Sequence, residues 1–166
     1  MRLFVAAWPP DEVMRSLAAL DRPEIPGLRW TTPDQWHVTL RFFGDCGVEK
    51  ATAALSTVDA APTTAVLGPA TGRLGPELLQ VPVAGLDDVA GNVVAATRHV
   101  GLAPPDRPFR GHLTVARARP RRGVDLRSFC GVALAGEWAV EEITLVASRL
   151  HPQGARYEVV HRHPLA

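Results

Sequence analysis

Two copies of one tetrapeptide constrain this chain more than any other feature. His37-Val38-Thr39-Leu40 and His112-Leu113-Thr114-Val115 each read His, apolar, Thr, apolar, and lie 75 residues apart. Both fall in segments that read as strands, where successive side chains alternate between faces. Each copy then sends His and Thr to one side and its two aliphatics to the other. Val38, Leu40, Phe42, Leu113 and Val115 can then enter a core. His37, Thr39, His112 and Thr114 face a common polar space if the two strands are neighbours. With six histidines in 166 residues, chance supplies about 0.1 such tetrapeptide. One copy reads as a structural polar pair; two at strand centres read as a site.

The chemistry of such a pair is specific. Two imidazoles with an ordinary pKa near 6.5 can hold opposite protonation states close to neutral pH. One takes a proton from an attacking hydroxyl or water, the other gives one to a leaving oxygen, and each transfer is worth about 10² to 10⁴ in rate. In-line displacement at phosphorus needs attacker and leaving group on opposite sides, which suits two separated groups. Thr hydroxyls two residues away, held by a stiff χ1, can bind the non-bridging oxygens. The scheme calls for no metal and no cofactor.

Composition bounds the rest. The 166 residues have the length of one domain and, at 46% hydrophobic, can form a core, so disordered and fibrous classes are excluded. No apolar run is long enough to span a membrane, and the stretch before Pro9 and Pro10 is too short for a signal peptide. A net charge of +1 excludes a nucleic-acid coat protein but not local binding of a nucleic-acid end. Arginine outnumbers lysine 17 to 1, and the arginine fork suits phosphate. Cys46 and Cys130 make neither a disulfide framework nor a zinc cluster, so a monomer with free thiols in the cytoplasm is expected.

Periodicity places strands over residues 2–8, 28–32, 36–43, 64–68, 77–83, 111–118, 138–149 and 156–162. Helices are expected over 12–20, capped by Asp11, and over 48–59 and 86–100. Pro82 puts the 77–83 strand toward a sheet edge. Short connections between neighbouring strands favour antiparallel pairing, and the class is α+β.

The paired tetrapeptides resemble those of the two-histidine (2H) phosphoesterase superfamily, and the wider match is to its bacterial and archaeal RNA 2',3'-cyclic phosphodiesterases, also called 2'-5' RNA ligases. The match extends through Arg2-Leu3-Phe4-Val5-Ala6, Arg29-Trp30, Pro33, Phe42-Phe43-Gly44, Arg107-Pro108-Phe109-Arg110, Ala116-Arg117, Ser148-Arg149-Leu150 and Gly154-Ala155-Arg156-Tyr157-Glu158-Val159. It implies one domain over 1–166, made of two pseudo-symmetric lobes of antiparallel sheet with helices outside and a central cleft. It further implies hydrolysis of an RNA terminal 2',3'-cyclic phosphate to a 2'-phosphate, with weak reversible 2'-5' joining. His37 is then the proton donor and His112 the proton acceptor, an order that the two locally alike motifs do not decide. The alternatives are a non-catalytic RNA-end binding module and a 2H enzyme opening small cyclic phosphates such as ADP-ribose 1'',2''-cyclic phosphate. Two departures stand out: Gly111 replaces the usual proline and is expected to loosen the strand there, and residues 72–78 lack the usual aromatics.

Thr39, Thr114, Arg117 and Arg41 complete the substrate-binding candidates. Strict alternation puts Arg117 on the face opposite His112, so the phosphate role that the resemblance implies needs a bulge. Alternation puts Arg41 in phase with His37 and Thr39. Trp30, Trp36, Phe43, Phe109 and Tyr157 are mainly core candidates that can also stack on a base. His161 and His163 share a phase but lack a third metal ligand and read as a surface tail.

Overall fold

Strand β1 (Arg2–Ala7) is apolar and buried after its first residue, as befits a strand flanked on both sides. The computed structural model, which describes residues 1–166, continues with helix α1 (Asp11–Ala18), β2 (Leu28–Trp30), β3 (Val38–Asp45), α2 (Val48–Leu55), β4 (Thr63–Leu67) and β5 (Gly72–Leu74). Then come β6 (Leu78–Ala84), α3 (Asp87–Thr97), β7 (His112–Ala118), β8 (Gly136–Val140), β9 (Glu142–Arg149) and β10 (Arg156–Pro164). Pro10, not Asp11, occupies the N-cap of α1; Asp11 lies in the first turn, where its charge complements the helix dipole. The expected 138–149 strand is interrupted at Glu141, and its two parts join different ends of the sheet.

The strand order β10-β9-β1-β3-β7-β6-β4-β8 is antiparallel throughout and is built around the two motif strands. β3 and β7 meet at a single pair, Val38 opposite Leu113. Beyond it β7 pairs with β2, while β5 pairs with the first half of β6. The two halves therefore diverge from a narrow seam and curl into a half-barrel with an open face. Pro82 lies inside this sheet rather than at its edge. It sits opposite His112, where its carbonyl accepts from Gly68 at the end of the β4 ladder and its missing N–H breaks no continuing run of bonds.

Helices cover the other face. Val13 and Leu17 of α1, Ala51 and Leu55 of α2, and Val89 and Val93 of α3 join strand residues in one core of 36 buried side chains. A smaller cluster, Phe4, Ala6 and Val146 with Trp8 and Tyr157 against it, sits separately. Phe4 and Ala6 point away from the main core because they alternate with Leu3, Val5 and Ala7, which enter it.

Candidate active site

The seam fixes the geometry of the two motifs. With Val38 opposite Leu113 in antiparallel register, Thr39 comes across from His112 and His37 from Thr114. All four side chains thus share the open face, while Val38, Leu40, Leu113 and Val115 are buried. His37 precedes the first residue of β3 and follows a short turn at Pro33–Gln35; His112 is the first residue of β7. Neither is at a strand centre.

The imidazoles are held alike. His37 Nδ1 donates to the carbonyl of Gln35 at 2.7 Å, and His112 Nδ1 to that of Arg110 at 2.8 Å. In each case the carbonyl lies two residues upstream and fixes the tautomer, leaving Nε2 for the cleft. The Thr39 hydroxyl meets His37 Nε2 at 2.9 Å and donates to it when the ring is neutral. Gly111 does not loosen the start of β7. A Cβ there would overlap the Val83 carbonyl oxygen, and Val83 N–H donates to Gly111 O at 2.9 Å. The close approach of β6 sets the position of His112.

Their surroundings differ. The His37 ring lies 4.9 Å from Phe4, 5.3 Å from Trp8 and 5.2 Å from Tyr157, centroid to centroid. Trp8 is fixed by its indole N–H, which donates to Thr144 Oγ1 at 2.8 Å. Desolvation among these rings lowers the His37 pKa from 6.5 to about 4, with the nearby positive charges of His112 and Arg117 adding to it and the Gln35 carbonyl opposing. Burial also pushes the Tyr157 phenol up. Trp8 and Phe4 were not among the sequence candidates for this site. The alternation Arg2, Phe4, Ala6 along β1, continued by Trp8 just after it, carried the signal.

Two bulges sort the arginines. Between β6 and β7, Gln80 pairs with Thr114 but Leu79 with Ala116, so Val115 is an extra residue. This flips the phase and turns Arg117 to the face of His112 and Thr114. Its guanidinium makes no hydrogen bond or ion pair within the chain. Between β1 and β3, Ala6 pairs with Thr39 but Val5 with Arg41, so Leu40 is extra. That bulge sends Arg41 the other way, into the core, and turns Phe42, expected in the core, out to an exposed position. Arg41 Nη1 donates to the carbonyl of Phe42 at 2.8 Å and its Nη2 to those of Val100 and Leu102 at 2.9 and 2.7 Å, its Nε has no partner, and the guanidinium stacks on Phe43. Alternation alone had placed Arg41 with the histidines; the bulge corrects this, and the side chain is occupied in tying a loop to β3. Trp36 and Phe43 are fully buried, and Trp30 packs edge-on against Phe129. His161 and His163 lie within β10 rather than in a tail, and His163 Nε2 donates to the Val58 carbonyl.

Two half-buried imidazoles, two hydroxyls and one free guanidinium on one open face can bind a phosphoryl group and move protons on either side of it. Comparison with known proteins agrees. A family model described as LigT-like phosphoesterase matches residues 7–66. An RNA 2',3'-cyclic phosphodiesterase of Thermus thermophilus is 30% identical over 189 residues, covering 99% of this chain and 90% of that protein. The chain belongs to the LigT-like phosphoesterase family. A second relative, the RNA 2',3'-cyclic phosphodiesterase of Archaeoglobus fulgidus, is 27% identical over 95% of this chain and 97% of its own length. Among solved structures, the protein TT0787 of Thermus thermophilus superposes with a TM-score of 0.81 at 28% identity, covering 99% of this chain and 98% of that one. The half-barrel is thus the fold of this phosphoesterase family, and the chain is a phosphoesterase. No helix is long and apolar enough to cross a membrane.

Proposed function

We propose that this phosphoesterase opens the 2',3'-cyclic phosphate at an RNA end and leaves a 2'-phosphate. Water attacks phosphorus as His112 Nε2 takes its proton; the bond to the 3'-oxygen breaks as His37 Nε2–H protonates that oxygen. The Thr39 and Thr114 hydroxyls and the Arg117 guanidinium bind the non-bridging oxygens. With a 5'-hydroxyl in place of water, the same geometry joins RNA ends through a 2'-5' linkage, and microscopic reversibility makes the joining reversible. The observation that carries this reading is the seam, which gives both motifs the same face and the same Nδ1-to-carbonyl anchoring.

The donor role places a demand on His37. With its pKa lowered to about 4, the ring is neutral at pH 7 in the free protein. An anionic phosphate beside Nε2 offsets the desolvation and recharges the ring, so that the acid is armed by substrate. The test is product analysis on a short RNA ending in a 2',3'-cyclic phosphate. A 2'-phosphate product, lost in both His37→Ala and His112→Ala proteins that still fold, is the expected result. Near-normal turnover in either variant, a 3'-phosphate product, or binding without turnover refutes the mechanism.

A further inference from the structure

Beside the phosphate site the molecule has a chamber half open to solvent. A cavity of 360 Å³ is lined by the loop that leads into β3 and by the turn between β9 and β10. It shares two residues with the immediate surroundings of His37. The carbonyl of Gln35 accepts from the imidazole at 2.7 Å, and the ring of Tyr157 lies 5.2 Å from it. A nucleoside whose 3'-oxygen sits at His37 has this chamber as its neighbour.

The chamber is preformed. Gln35 Nε2 donates to the Ala155 carbonyl at 2.7 Å while its Oε1 accepts from Thr32 N–H at 3.1 Å, which ties loop to turn. Arg29, across from Arg117 on the same face, donates to the Pro152 carbonyl at 3.2 Å. Gly154 adopts a φ of +115°, and a Cβ there would come within 3.1 Å of Gln35 Nε2, so only glycine fits the closure without strain.

The lining is polar and mixed in sign. Asp34 presents a carboxylate, oriented by the Thr32 hydroxyl, and Arg156 a guanidinium. His151 Nδ1 accepts from Gln153 N–H at 3.2 Å, which leaves Nε2 as a further donor. A carboxylate repels phosphate, so the chamber is poorly suited to a second anion. An acceptor pair, a donor fork and the Tyr157 side chain among the lining residues suit a heterocycle.

Building on the phosphodiesterase reading above, we propose that this chamber holds the nucleobase of the terminal nucleotide and selects guanine. Guanine N1–H and its amino group match the Asp34 carboxylate, and O6 with N7 match the Arg156 fork. Uracil has no amino group for the carboxylate and adenine has no carbonyl for the guanidinium.

The test compares kcat/KM for the four 2',3'-cyclic nucleoside monophosphates, alongside calorimetric binding of guanosine and uridine 2'-monophosphates. The wild-type protein is expected to favour guanosine over uridine by about tenfold or more in both readouts. Asp34→Asn and Arg156→Gln, each checked for fold by circular dichroism, are expected to narrow that ratio about tenfold. Equal use of all four bases, or a ratio unmoved by both substitutions, overturns the proposal. Hydrolysis of neither the four nor a short RNA ending in a 2',3'-cyclic phosphate, with a retained guanosine preference in calorimetry, overturns the phosphodiesterase reading and supports the chamber's selectivity.

Discussion

Desolvation of His37 by Phe4, Trp8 and Tyr157 makes its titration the most informative property of the free protein. A fall from 6.5 to about 4 amounts to about 3 kcal/mol against the imidazolium. A phosphate charge about 5 Å from the ring, at an effective dielectric constant of about 20, attracts the imidazolium by about 3 kcal/mol. The two effects nearly cancel, so bound phosphate is expected to return His37 close to its ordinary range. Long-range ¹H–¹⁵N spectra of the histidine side chains, recorded against pH with and without inorganic phosphate, follow this directly. Trp8→Ala, which opens one wall to water, is expected to raise the His37 pKa without any phosphate. A His37 that titrates near 6.5 in the free protein, or that ignores phosphate, refutes the desolvation argument.

The same shift makes stability pH-dependent. Between pH 6.5 and about 4 the unfolded chain takes up a proton at His37 that the folded chain refuses, so stability falls on acidification. His37→Gln is expected to remove up to about 3 kcal/mol of that loss, read by urea unfolding at pH 7 and pH 4.5. Arg41→Ala strands three carbonyls that it now satisfies and is expected to cost about 3 kcal/mol or more, also by urea unfolding. Arg117→Ala is expected to leave the unfolding midpoint in place and lower cyclic phosphodiesterase activity about a hundredfold. Gly91→Ala, in helix α3 with open space around its Cβ, is expected to stabilise by about 0.5–1 kcal/mol, whereas Gly111→Ala destabilises by forcing β6 and β7 apart.

The alternation of apolar and polar residues was enough to find the motif strands, to separate their faces and to assign the α+β class. Alternation assumes an unbroken ladder, and that is where it failed. One extra residue, Leu40, buries Arg41, and another, Val115, brings Arg117 round to the histidines. Nothing in either local sequence marks a bulge, because bulges are set by the partner strand's register. Pro82 misled for a related reason: its missing N–H matters only where a ladder continues, and the β4 ladder stops there. The break at Glu141 lies within an otherwise strand-like run, and only the pairing of β8 with β4 and of β9 with β1 reveals it. Trp8 escaped notice because the two prolines after it read as the end of a strand, not as the edge of a site.

The proposed mechanism requires one phosphoryl group between two imidazoles contributed by the two sides of the seam. A crystal structure with bound adenosine 2'-monophosphate tests it most directly. The expected result is a phosphate within hydrogen-bonding distance of both His37 Nε2 and His112 Nε2, with Arg117 turned toward it. A phosphate held by one histidine alone, or bound outside the cleft, contradicts the account.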